Sequence, residues 1–116
     1  MAVIMYGIPN CDTIKKAKRW LDEQNIDYTF YDYKKQPVTA ELVDGFFEQL
    51  DWTQVVNKRG TTYRQLDDAT KQNLASDNAA ELLISNPSMI KRPILSVDGE
   101  LTLGFKPDLY AQLFQR

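Results

Sequence analysis

Residues 2–17, Ala2-Val3-Ile4-Met5-Tyr6-Gly7-Ile8-Pro9-Asn10-Cys11-Asp12-Thr13-Ile14-Lys15-Lys16-Ala17, change their periodicity midway. The apolar run over 2–6 reads as a short buried strand, and Gly7 with Pro9 ends it. From Cys11 to Gln24 the spacing becomes helical. Ile14, Ala17 and Leu21 share one face with Trp20 beside them, while Lys15, Lys16, Lys18 and Arg19 lie mostly elsewhere. Asn10 or Asp12 is placed to cap the start of this helix, and Asn25 to end it. Residues 26–33, Ile-Asp-Tyr-Thr-Phe-Tyr-Asp-Tyr, then alternate with period two as a second strand should. The result is β-α-β, with a crossover helix long enough to set the two strands in parallel.

The middle of the chain carries no strand signal. Thr39 reads as an N-cap and Glu41 favours a first turn, with Leu42, Phe46 and Leu50 at helical spacing through 40–50. Residues 52–56 suit one further turn, and Asn57-Lys58-Arg59-Gly60-Thr61-Thr62 is a polar loop. Two short helices are expected over 63–74 and 77–85, the second stopped by Asn86-Pro87. Residues 39–90 therefore read as a helical insertion.

The pattern then returns to strands. Pro93-Ile94-Leu95-Ser96-Val97 and Leu101-Thr102-Leu103-Gly104 flank Asp98-Gly99-Glu100, and Asp-Gly is a strong hairpin signal because it tolerates positive φ. Pro107, with Leu109, Leu113 and Phe114, supports a last helix. The order predicts an α/β protein: a thioredoxin-like four-stranded mixed sheet with the insertion between its second and third strands. At 116 residues the chain is expected to form one domain, 1–116.

Composition narrows the classes of function. A net charge of −2 gives no general attraction to nucleic acid or to an anionic membrane, so any anion site must be local. No apolar run approaches the roughly 20 residues that span a bilayer. The N-terminus lacks the basic region and cleavage site of a secretory signal. One cysteine cannot form an internal disulfide, and the expectation is a cytoplasmic protein. The chain has no histidine, so no imidazole serves as base or metal ligand, and no metal site is expected.

Cys11 is the leading candidate for chemistry. A helix start presents unpaired N–H groups and the positive end of the dipole, which favour the thiolate, the reactive form. A free cysteine is more commonly a small buried hydrophobe. The polar neighbours Asn10 and Asp12 and the preceding Gly-x-Pro turn argue for the reactive role. Asp12 works slightly against it, because a neighbouring carboxylate opposes the thiolate. In a thioredoxin-like sheet, the proline that opens the third strand, here Pro93, lies beside the reactive cysteine. Backbone there can pair with a peptide-like ligand such as glutathione. Arg92 would face the same pocket and hold a carboxylate or oxyanion bidentately. Lys58, Arg59, Arg64 and Lys106 are weaker candidates, since isolated surface cations are common. The basic run on the first helix reads as a solvated face, with no interleaved aromatic platform for nucleic acid.

Three blocks resemble the ArsC family, and within its ArsC/Spx group the YffB-like members. They are Tyr6-Gly7-Ile8-Pro9-Asn10-Cys11-Asp12-Thr13-Ile14-Lys15-Lys16-Ala17, then Asn57-Lys58-Arg59-Gly60-Thr61-Thr62-Tyr63-Arg64, then Ile90-Lys91-Arg92-Pro93-Ile94. Their order and spacing cover the whole chain. The resemblance implies a thioredoxin-like fold with a helical insertion. In arsenate reductases of the family, a cysteine attacks arsenate while three arginines hold the oxyanion, and glutathione or glutaredoxin completes the reduction. Cys11 matches the nucleophile and Arg92 the arginine before the proline. The first arginine position falls on Asn57, with Arg59 two residues away, and the last falls on Lys106. Lysine keeps the charge but loses the two-pronged geometry. Spx-type members bind RNA polymerase and sense oxidation through a Cys-x-x-Cys pair, whose second position here is Ile14.

These observations lead to an expected function. Cys11 acts as the nucleophile of a glutathione-dependent monothiol oxidoreductase on a small-molecule or protein disulfide. Asn10, Arg92, Pro93, Arg59 and Lys106 surround substrate or glutathione. No bound cofactor is expected, glutathione being a co-substrate, and glutathione or glutaredoxin resolves the adduct. Arsenate reduction and Spx-like polymerase binding are the alternatives.

Overall fold

The computed structural model describes residues 1–115. The chain divides into two compact units, one made of Met1–Gln36 with the chain from Arg92 onward, the other of Pro37–Lys91.

The first unit holds a four-stranded sheet. Its strands are β1 (Val3–Gly7), β2 (Thr29–Asp32), β3 (Ile94–Val97) and β4 (Glu100–Leu103), in the order β2-β1-β3-β4. β1 pairs parallel with β2, Tyr6 opposite Tyr31, and antiparallel with β3, Met5 opposite Leu95. β3 and β4 form an antiparallel hairpin. Asp98 and Gly99 occupy its turn at φ 51° and 89°, the positive values that an Asp-Gly turn accommodates. The sheet is the mixed α/β, thioredoxin-like arrangement expected from the sequence. Two helices belong to this unit, α1 (Asp12–Glu23) and α7 (Pro107–Leu113).

One core cluster joins them. Ile14, Ala17 and Leu21 of α1 are fully buried with Met5, Leu95 and Tyr110. The apolar face read from the sequence is therefore the face that packs. On β1, Val3, Met5 and Gly7 are buried while Ile4 and Tyr6 are half-buried, the alternation a pleated strand imposes. β2 is shorter than the 26–33 expected. Asn25 adopts φ 56° and the Ile26 N–H closes back onto the Leu21 carbonyl at 3.0 Å. Residues 26–28 thus belong to the helix exit, and pairing begins at Thr29.

The second unit is helical: α2 (Ala40–Gln49), α3 (Trp52–Val55), α4 (Thr61–Arg64), α5 (Asp68–Gln72) and α6 (Ser76–Ser85), then a 3₁₀ turn at Pro87–Met89. Thr39 caps α2 as expected, its hydroxyl accepting the Leu42 N–H at 3.1 Å. The single helix expected over 63–74 is two. The Asp67 carboxylate accepts the Thr70 N–H at 2.7 Å and starts a new helix in the middle of that run. An antiparallel bridge between Val56, just after α3, and Ile90 ties the middle of the unit to its last residues.

Candidate functional site

The site begins with the turn between β1 and α1. Cys11 is itself the N-cap residue, with extended backbone at φ −145° and ψ 128°, and its carbonyl accepts the Lys15 N–H at 3.0 Å. This corrects the expectation that Asn10 or Asp12 caps the helix. Both are exposed, and no side-chain oxygen caps α1. The first-turn donors are left for the thiol. Burial pushes the thiol's ionisation up, but several effects outweigh it: the Ile14 N–H, a hydrogen bond from the Arg92 guanidinium, that group's charge, and the Thr13 N–H. Together they bring the pKa below the ordinary thiol value. Cys11 is half-buried, so it stays within reach of a reactant.

Arg92 reaches Cys11 because β3 follows it directly. The Arg92–Pro93 peptide is cis, and the Pro93 carbonyl accepts the Gly104 N–H at 2.8 Å, which secures it to the end of β4. Gly7 makes the close approach of α1 possible. A Cβ there would lie 2.5 Å from Ile14 Cδ1, a clash, whereas its 3.9 Å to Arg92 Cβ would be ordinary contact. The missing side chain lets the first turn of α1 settle against β1.

Of the residues singled out in the sequence, Cys11 and Arg92 are in contact, and Pro93 adjoins Arg92. Asn10 precedes Cys11 on an exposed bend. Lys106 is the exposed N-cap residue of α7. Arg59 belongs to the helical unit, exposed on the turn before α4, where its N–H donates to Asn57 Oδ1 at 3.2 Å.

Three tyrosines were not foreseen. Tyr6 and Tyr31 face each other across the parallel pair with ring centroids 5.1 Å apart, and Tyr33 follows at 6.2 Å from Tyr31. Burial chiefly pushes the Tyr33 phenol far up, Tyr6 and Tyr31 add to that, and the nearby Arg92 charge offsets a part. Tyr33 is therefore a neutral phenol in the field of the same guanidinium that holds the thiol. Its signal was present as the alternation Thr29, Tyr31, Tyr33 along one strand face, in register with Tyr6. Among the described residues, no group of histidine, cysteine, aspartate and glutamate is placed to hold a metal ion, and no helix is long and apolar enough to cross a membrane.

Comparison with known proteins agrees with this architecture. The solved structure of a "YFFB (PA3664) protein" superposes with a TM-score of 0.91 and 45% identity, over 96% of this chain and 97% of that one. An arsenate reductase (ArsC) related protein from Brucella melitensis gives a TM-score of 0.81 and 47% identity, over 100% of this chain and 97% of its own. At greater distance, the global transcriptional regulator Spx 2 of Bacillus anthracis is 27% identical over 91% of this chain and 82% of its length. The sequence profile of the ArsC family matches residues 6–113, and the chain belongs to the ArsC family.

Proposed function

We propose that the protein is a glutathione-dependent thiol oxidoreductase of monothiol type, with Cys11 as its nucleophile. The observation that supports this most is a lone thiol whose ionisation is favoured by two backbone N–H groups and the Arg92 guanidinium, in a chain with one cysteine. The Cys11 thiolate attacks one sulfur of a disulfide RS–SR′. A bond forms from Sγ to that sulfur as the substrate bond breaks, and R′S⁻ leaves to take a proton from solvent. No second thiol within the chain can resolve the adduct, so an external thiolate must attack it. Glutathione displaces Cys11 to give RS–SG, and a second glutathione releases RSH with glutathione disulfide. Arg92 holds a glutathione carboxylate or steadies the departing thiolate. Lys106, in the same unit as Cys11, is the candidate for a second positive charge, and the glutathione pool of the cytoplasm is the setting.

Two measurements test the reading. The pH dependence of Cys11 alkylation should show a thiol ionising below the free value near 8.5. Intact mass after exposure to glutathione disulfide should show one glutathione adduct, absent in Cys11→Ser. An unperturbed thiol with no adduct overturns it. The likeness to the arsenate reductase (ArsC) related protein of Brucella melitensis favours arsenate as a second substrate, and glutathione-coupled arsenate turnover lost in Cys11→Ser would establish that. The likeness to Spx 2 favours a polymerase-binding role. Ile14 stands where a second switch cysteine would be and is fully buried, so only binding that survives Cys11→Ser would fit.

A further inference from the structure

Beyond the turn that carries Cys11, α1 presents Lys16, Arg19, Trp20 and Glu23 along one stripe. With Phe105 and Pro107, ahead of and at the start of α7, they line a cleft of about 280 Å³. Its two aromatic walls are held by the core. Tyr110 is fully buried and stands edge-on to both, 5.7 Å from Trp20 and 4.6 Å from Phe105. Trp20 also packs on Phe114 at 5.9 Å. The walls are therefore set before any ligand arrives, which lowers the ordering cost of binding.

The charges at the rim are unspent. Lys18 lays its ammonium over the Phe30 ring at 3.6 Å, but the exposed side chains of Lys16 and Arg19 make no ion pair or hydrogen bond with any described residue.

We propose that this cleft binds a small planar aromatic monocarboxylate. The ring enters between Trp20 and Phe105, and the carboxylate meets Arg19, whose planar fork suits it, and Lys16. The volume limits the ligand to a one- or two-ring size. Glu23 lies seven residues beyond Lys16, about 10 Å along the helix axis, and repels a second negative group at that end. This site does not depend on the thiol chemistry.

The test is a titration of the ¹⁵N-labelled full chain with 2-naphthoate, followed by NMR. The expected result is saturable shifts at the Trp20 indole N–H and along α1, with an affinity on the order of millimolar or tighter. Arg19→Gln and Lys16→Gln, both at exposed positions, should each weaken binding several-fold with folding intact by circular dichroism. Neutral 2-naphthamide should bind at least as weakly as those variants allow, and Cys11→Ser should bind like the parent. Absence of saturable shifts overturns the proposal. So does equal binding of the amide, or unchanged binding by the Lys16→Gln/Arg19→Gln double variant.

Discussion

Replacing Gly7 by alanine probes how the thiol environment is built. The new Cβ would sit 2.5 Å from Ile14 Cδ1 and 3.2 Å from Ile14 Cγ1. Carbon atoms pack at about 3.5–4.0 Å, so the overlap is about 1 Å. Gly7 does not adopt positive φ, so the cost lies in packing and not in backbone strain. Ile14 is 0% exposed and cannot swing outward into solvent. Overpacking of this kind costs about 1–3 kcal/mol. For a chain of this length that corresponds to a fall in Tm of about 4–12 °C. The Ile14 N–H also helps to hold the Cys11 thiolate, so a displaced first turn should slow alkylation of Cys11 near neutral pH. Ile14→Val deletes the atom at 2.5 Å and alone costs about 0.5–1.5 kcal/mol. In the double variant the two changes should offset each other by about 1 kcal/mol or more. Urea melts of the four proteins, with alkylation rates for each, complete the cycle. Additive destabilisation, or a Gly7→Ala protein with parental stability and alkylation, refutes the claim that Gly7 seats the helix start.

Other expectations are independent of that cycle. Arg92→Gln removes both a hydrogen bond and a charge from the thiolate, so the pH profile of Cys11 alkylation should move upward. Arg92→Lys should move it less, and an unchanged profile in both would place the stabilisation wholly on the backbone donors. Because folding lowers the Cys11 pKa, the thiolate's contribution to stability is absent below the folded pKa. It grows as pH rises toward the unfolded value near 8.5 and is complete above it. The difference in urea midpoint between the parent and Cys11→Ser should therefore shift in the parent's favour over that window, and a constant difference refutes the shift. Tyr110→Phe removes a buried hydroxyl with no partner among the described residues, so stability should stay within about 1 kcal/mol or rise. A larger loss on denaturation would reveal a hydrogen bond that stabilises the fold.

The sheet was legible because each strand announced itself through a different device. β1 is a short apolar run ended by glycine and proline, β2 alternates, and β3 and β4 bracket Asp-Gly. The helix face of α1 was legible residue by residue, since Ile14, Ala17 and Leu21 can all be buried only on a 3.6-residue period. Where the reading failed, a local hydrogen bond overrode a longer pattern. Asp67 sits inside a run that propensity alone would keep helical, yet its carboxylate caps a new helix from within. Likewise, the alternation over 26–33 continues beyond the paired residues, because the left-handed Asn25 directs the chain before β2 can meet β1.

The candidate site divides in the same way. Cys11 and Arg92 stand out because chemistry selects residue types, and a thiol at a helix start or an arginine before a strand-opening proline is visible as text. Their contact is not visible, since it depends on strand order, which brings β3 beside β1. The backbone donors of Thr13 and Ile14 are invisible for another reason: every residue carries an N–H, and only geometry makes two of them converge on sulfur. Capping was misassigned to Asn10 or Asp12 because a polar side chain is the usual device. Here the thiol occupies that place, with no side-chain oxygen to take the first-turn donors. That substitution carries a functional consequence. A serine, asparagine or aspartate cap fills the donors with an oxygen and stabilises the helix, whereas a cysteine leaves part of that interaction to be gained on ionisation. The helix start is thus less fully satisfied with a neutral thiol than with a thiolate. Cys11→Ser should for this reason lose the thiol's reactivity while retaining or improving the stability of α1 at low pH, where the parent's sulfur is protonated.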